Sequence, residues 1–309
     1  ILDHNMKDIS IPDFIDRELI HFSNSDTLRS IGSLYDGLKP SQRKILYSCF
    51  KRKLYSEIRV AQLAGYVSEN AAYHHGEASL QSAIIGMAQD FVGSNNINLL
   101  MPNGQFGTRI MGGSDSASPR YIHTELNPLV DTIYPKDDMP LLKYTNDDGL
   151  LVEPEYYVPI IPMVLVNGMV GIGTGFSTNI PLYNPKNIIN NIKRKLNDNK
   201  YLVMHPHYNN FKGKIELKPG EKNIYITRGV YKVYPNDNKV VITELPIGKW
   251  TDDYIKFIQD NINLTKEHKN NFISDYENHS TDTEINIILK VTDEFIFDSE
   301  HSAPKADGL

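Results

Sequence analysis

The chain contains a single cysteine in 309 residues. One thiol excludes a disulfide framework and a thiolate-held metal, and the neighbours Leu46, Phe50 and Leu54 make Cys49 a small core residue. Long apolar runs are also missing. The longest, residues 156–170, is interrupted by Pro159, Pro162 and Asn167 and cannot span a bilayer, and no basic-then-apolar leader opens the chain. An intracellular protein is expected, with the sequons at Asn263 and Asn278 incidental. There is no Walker-type nucleotide loop. A net positive charge is lacking as well, and the formal net charge of -6 argues against a nucleic-acid binder until its distribution is considered.

What is present has size and polarity. With 40% apolar residues the chain can bury a real core, and its length suggests about two domains. Charge is segregated along it. Residues 39–59 hold seven basic side chains against Glu57 alone, whereas beyond Thr251 there are 13 acids and 5 bases. Such asymmetry is the footprint of a polyanion partner met by one end.

Local patterns predict a helix over residues 11–22, starting after Ser10 with Pro12 in its first turn. A second helix begins near Pro40. Its apolar residues Ile45, Leu46, Cys49 and Phe50 share one face, and Arg43, Lys44, Tyr47 and Lys51 fall on the opposite arc at 100° per residue. Four groups suited to phosphate or base-stack contact line up there with no acid among them, so a nucleic-acid face is preferred to a merely solvated one. A further helix is predicted over residues 76–91, with Leu80, Ile84, Met87 and Phe91 as its buried stripe. His74 and His75 precede it, where unpaired N–H groups and the helix dipole suit an incoming phosphate. A zinc pair is the poorer reading, because adjacent histidines do not share a helical face and no Cys or carboxylate nearby completes a shell. Residues 97–100 and 106–108 read as two strands around a turn.

The pair Arg120 and Tyr121 follows a small, polar run, residues 112–119. A phenol, with an ordinary pKa near ~10, needs a neighbour that stabilises developing charge before it acts as a nucleophile at neutral pH. A fixed guanidinium can supply that. By itself the dipeptide fits equally a surface cation beside a half-buried aromatic. The glycines of residues 171–175 do not form a dinucleotide loop, since Pro181 and Pro185 prevent the helix that should follow. A glycine-rich turn is expected instead. Farther on, an amphipathic helix is predicted after Pro185, through Ile188, Ile189, Ile192 and Leu196, and residues 225–227, 230–233 and 239–243 predict strands.

Four further runs carry a resemblance. Residues 36–44 (DGLKPSQRK), 73–77 (YHHGE), 102–109 (PNGQFGTR) and 120–125 (RYIHTE) resemble the breakage-reunion region of type IIA DNA topoisomerases, and residues 165–168 (LVNG) and 171–175 (GIGTG) continue the match in order. The resemblance is dense over residues 31–185. Adjacent histidines followed by Gly-Glu, and Ser118-Pro119, are similar to the eukaryotic branch, cellular or of a large DNA virus, rather than to the bacterial gyrase pattern. His123 stands where that branch usually has phenylalanine, so packing just after the tyrosine is expected to differ.

The resemblance implies an α+β chain: a leading segment at residues 1–23, a winged-helix domain at 24–145 and a mainly β tower at 146–309. It implies that Tyr121 attacks a DNA phosphodiester and becomes linked to a 5′ phosphate, in a homodimer that passes one duplex through another. Arg120, Arg43, His75 and His74 correspond to catalytic phosphate contacts; Lys39, Lys44 and Arg109 to DNA-backbone contacts. Lys51 extends the basic face, and Ile172 corresponds to an apolar wedge that bends double-stranded DNA. Mg²⁺ and ATP belong to the full-length enzyme. Acidic motifs like the family's metal-binding module are missing here, as is its long coiled coil, so the metal ligands are expected outside this chain and the chain alone is expected to bind DNA without cleaving it. Localisation is expected to be nuclear, or in the host cytoplasm if viral. Two other classes compete: a tyrosine recombinase, which would leave a 3′ phosphate, and a non-catalytic winged-helix module.

Overall fold

In a computed structural model of the chain, residues 8–264, 272–293 and 295 are described. Helix α1 (Ile11–Phe14) opens as expected, with the Ser10 hydroxyl accepting the Asp13 N–H at 3.2 Å and proline in the first turn. It does not stop at residue 22. After a π-turn at Ile15–Leu19 it continues as α2 (Ile20–Ser30), where no Gly or Pro interrupts it, so the boundary expected at 23/24 lies inside a helix.

Helix α3 (Pro40–Arg52) ends at Lys53, which takes φ +54°, so that the N–H groups of Lys53 and Leu54 close back on the carbonyls of Phe50 and Cys49. β1 (Ile58–Arg59) leads into α4 (Val60–Asn70), and α5 (Glu77–Ala88) follows. Leu80, Ile84 and Met87 form the buried stripe expected of α5; Phe91 lies past its end. Residues 97–100 and 106–108 form no regular strands. Instead, residues 100 and 103 bridge antiparallel to residues 126 and 123, and β2 (His123–Thr124) pairs with β1. The alternating pattern was real, but its partner lay 20 or more residues away, which a local reading does not reveal.

The short helix α6 (Val130–Ile133) precedes the hairpin of β3 (Tyr144–Asp147) and β4 (Leu150–Pro154). Helix α7 (Met163–Val166), the hairpin of β5 (Met169–Ile172) and β6 (Ser177–Ile180), and α8 (Pro185–Leu196) complete the first unit. Asn184 caps α8 by accepting the Lys186 N–H at 2.9 Å. The core of this unit draws on Ile45, Leu46 and Cys49 of α3, Leu63 and Val67 of α4, Leu80 and Ile84 of α5, and also Tyr157, Val166 and Ile188. The first compact unit runs on past the break expected at 145/146 to Tyr208, because Tyr157, Ile161 and Ile188 bury their side chains in the same core as α3–α5.

The second unit comprises residues 91–93 and 107–116 and the described residues from 209 onward. It contains the hairpin of β7 (Lys214–Leu217) and β8 (Tyr225–Arg228) and an antiparallel sheet in the order β11-β12-β10-β9, from β9 (Val230–Tyr234), β10 (Lys239–Glu244), β11 (Ile273–Asn278) and β12 (Ile287–Val291). Val240 and Ile242 pair with Leu289 and Ile287 and turn inward onto Ile258 of α9 (Thr251–Leu264). The expected tail at residues 300–309 lies outside the described residues.

Candidate nucleic-acid interface

The turn between α2 and α3 is built around one buried carboxylate. Asp36, with no exposed surface, accepts Nε and Nη2 of Arg43 at 2.7 and 3.0 Å and the backbone N–H groups of Leu38 and Tyr157 at 3.0 and 2.9 Å. Gly37 has φ +71°, and a Cβ there would sit 2.6 Å from the Val164 nitrogen, so glycine is needed for the close approach. This knot delivers Lys39 to the start of α3, where its N–H donates to Gln42 Oε1 at 2.9 Å.

Lys39 lies on a cleft of about 410 Å³ whose lining includes Arg29, Lys44, His74, His75 and Ile172. Arg29 and Lys39 take part in no ion pair among the described residues. The His75 ring meets Tyr73 edge-on at 5.3 Å, and His74 Nε2 lies 3.2 Å from Asp147, the carboxylate that β3 adds to the lining. The histidines follow a tight turn in which Ala72 has φ +46°. A left-handed non-glycine residue costs on the order of 1–2 kcal/mol, so surrounding contacts must hold it. Cations and imidazoles concentrated in a concave, partly apolar space suit a phosphate chain.

Tyr121 is presented differently. The residue is 77% exposed, while the backbone around it is pinned: Tyr121 N–H donates to Ser118 O, Ala61 N–H to Pro119 O and Val60 N–H to Ile122 O, at 2.9, 3.0 and 3.0 Å. Ile122 is buried, and Gly104 at φ +123° passes close to its side chain. His123 exchanges both backbone hydrogen bonds with Asn103 and pairs with Arg59 across β1–β2. The result is an open phenol on a stiff base beside the exposed Arg120. Tyr134 and Tyr157 make the contrast, since burial pushes their phenols far above the ordinary value. Arg120 and Tyr121 are not among the residues lining the cleft that gathers Lys39, His74 and His75.

Several expected contacts are placed otherwise. Arg43 is 7% exposed and faces inward, because its guanidinium is the partner of Asp36 and also donates to Leu38 O at 2.9 Å; it does not share the open arc with Tyr47 and Lys51. Lys44 touches the cleft, but its ammonium is bound by Glu153 at 2.9 Å and the Ala71 carbonyl at 2.6 Å. Arg109, in the second unit, is buried against Glu244, whose carboxylate also accepts the N–H groups of Lys212 and Leu245 at 3.1 and 2.9 Å. Buried charges survive only when paired, and these pairings remove two arginines from solvent. Lys51 is exposed, 5.8 Å above the Tyr47 ring.

Ile172 is 80% exposed at the end of the β5–β6 hairpin. Its flanking glycines make room for a neighbouring helix. A Cβ on Gly171 would sit 2.3 Å from Ser30 O, and one on Gly173 would sit 3.0 Å from Thr27 Cα, so both let the hairpin lie against α2. The sequence reading missed Arg29, Asp147 and Glu153. Ending the first helix at residue 22 left Arg29 outside it, although the uninterrupted run up to Gly32 carried the signal for a longer helix.

Among the described residues no group of three or more His, Cys, Asp or Glu side chains could hold a metal ion. These residues do not fit a magnesium ion by themselves. No helix among them is long and apolar enough to cross a membrane.

The model of the family formed by the A subunits of DNA gyrase and topoisomerase IV matches residues 29–305. The chain belongs to that family. It is 50% identical over 285 residues to DNA topoisomerase 2 of Bombyx mori, covering 92% of this chain and 18% of the relative. To DNA topoisomerase 2 of Arabidopsis thaliana it is 50% identical over 295 residues, 95% of this chain and 20% of the relative. It is also similar to the crystal structure of the Plasmodium falciparum topoisomerase II DNA-binding, cleavage and re-ligation domain, with TM-score 0.88 and 49% identity over 97% of this chain and 40% of that one. The chain thus spans about a fifth of the length of these curated relatives.

Proposed function

We propose that the chain is the DNA cleavage and religation region of a eukaryotic-type type II DNA topoisomerase. The observation that carries this reading is Tyr121, a fully presented phenol on a pinned backbone, in a chain half identical to DNA topoisomerase 2 over most of its length. Tyr121 Oη attacks a backbone phosphorus and forms a 5′-phosphotyrosyl bond as the P–O3′ bond breaks, the phenol giving its proton to water and the leaving 3′ oxygen taking one up to become a hydroxyl. The bond count is unchanged, so the 3′ hydroxyl can reverse the step and reseal the strand.

Arg120, next to the phenol, is placed to meet charge that grows on the phosphate, and the cleft of Arg29, Lys39, His74 and His75 holds neighbouring phosphates in register. Arg43 supports the cleft through Asp36 rather than touching DNA. Ile172 is read as a wedge into the base stack, where its exposed side chain would exchange some stacking energy for a bend. Helices α3 to α5 with the β1–β2 pair are read as a winged-helix domain within residues 24–145, and the later sheet as a tower.

Two strands require two tyrosines, so the working form is read as a homodimer on double-stranded DNA, acting in the nucleus or, for a viral source, the host cytoplasm. Magnesium and ATP are assigned to the complete enzyme; magnesium there would polarise the scissile phosphate.

Replacing Tyr121 with Phe in the complete protein tests the reading. DNA affinity should persist while the covalent adduct and strand passage disappear. An adduct that persists excludes Tyr121 as nucleophile, and a wild-type protein that binds DNA but never forms one is a non-catalytic winged-helix module.

A further inference from the structure

The β3–β4 hairpin touches the cleft from its side. Glu153 on β4 holds the Lys44 ammonium at 2.9 Å; Lys44 in turn donates to the Ala71 carbonyl at 2.6 Å; and both side chains are largely buried, at 9% and 16% exposure. Ala71 is the residue at the end of α4, immediately before the left-handed Ala72 and the histidines. The same hairpin reaches His74 through Asp147 and accepts the Tyr47 hydroxyl at Leu151 O, 3.3 Å away.

Carbonyls at a helix end lack intrahelical partners, and an ammonium satisfies one while complementing the dipole. Here that carbonyl also begins the turn that aims two imidazoles. We propose that Glu153 and Lys44 form a latch from β4 that sets the two-histidine loop, with Lys44 a positioning residue rather than a DNA contact. The inference rests on the cleft being the phosphate site. Because Glu153 already neutralises it, Lys44 has no condensed counterion to displace from DNA. It fixes where His74 and His75 stand, and a displacement of about 1 Å in a positioning group can lower a rate on the order of 100-fold.

The test uses the complete protein. In the paired change Lys44→Met with Glu153→Leu, both buried charges leave together, so neither is stranded. The latch predicts that cleavage at saturating DNA falls roughly 10- to 100-fold while the slope of log affinity against log salt stays unchanged. A slope reduced by about 0.9 makes Lys44 a phosphate contact and overturns the proposal, as does undiminished cleavage. Should the paired variant fail to fold, Glu153→Gln decides, since it keeps the size but replaces the ion pair with a weaker neutral hydrogen bond that no longer holds Lys44 in place. Reduced cleavage with equal or tighter DNA binding supports the latch, and unchanged cleavage overturns it. A third variant, Arg29→Ala with Lys39→Ala, separates the two levels: if it leaves the salt slope intact, the cleft is not the phosphate site and that reading fails first.

Discussion

Arg43 separates a phosphate contact from a structural support. In the folded chain its guanidinium satisfies both oxygens of Asp36, a carboxylate with no exposed surface, and one backbone carbonyl. In Arg43→Met, Asp36 keeps only the N–H groups of Leu38 and Tyr157. Removing one partner of a buried pair costs about 3–5 kcal/mol, because a charge remains without compensation. For a folded region of about 150–250 residues each kcal/mol moves Tm by about 2–4 °C, so the expected drop is roughly 6–20 °C. An exposed phosphate contact would change stability by less than about 0.5 kcal/mol and lower the salt slope by about 0.9. Thermal unfolding followed by circular dichroism, together with DNA titrations at several salt concentrations, reads both quantities. Adding Asp36→Asn to Arg43→Met should recover much of the lost stability, since the stranded charge is gone. A variant that melts with the wild type and shows a reduced salt slope refutes the buried-support reasoning.

Burial pushes the Cys49 thiol up to about 12, so at pH 8 about one molecule in 10,000 carries a thiolate, against about a quarter for a free thiol with pKa ~8.5. A thiol reagent should therefore label Cys49 only as fast as the helical core opens; labelling at the rate of a free cysteine contradicts the packing. Ile172→Ala removes an exposed side chain and should shift stability by less than about 0.5 kcal/mol. Bending of a short duplex, measured by energy transfer between end labels, should decrease if Ile172 is the wedge, and full bending rules that role out.

Helices were the most legible part of the sequence. Ser10, Pro40 and the Asn184-Pro185 pair start helices through contacts within three residues, which local chemistry determines. The pairing of residue 103 with 123 was hidden because it depends on chain distant in sequence. The candidate site was readable in kind but less so in placement. Tyr121, Arg120, Lys39, His74, His75 and Ile172 are all exposed or cleft-lining, whereas Arg43, Lys44 and Arg109 are bound by Asp36, Glu153 and Glu244. A helical wheel shows which arc a cation occupies. It cannot show a carboxylate arriving from residue 153 or 244 to neutralise it. Arg29 was lost for a simpler reason, a helix end placed eight residues early.

The most direct measurement is to trap the complete protein on a DNA duplex with denaturant during cleavage, digest it, and sequence the linked peptide and the attached DNA end. Nucleophilic attack by Tyr121 predicts one modified residue, Tyr121, carrying a 5′ phosphate, with a free 3′ hydroxyl on the other side of the break. A 3′-phosphate link, or a link through any other side chain, contradicts it.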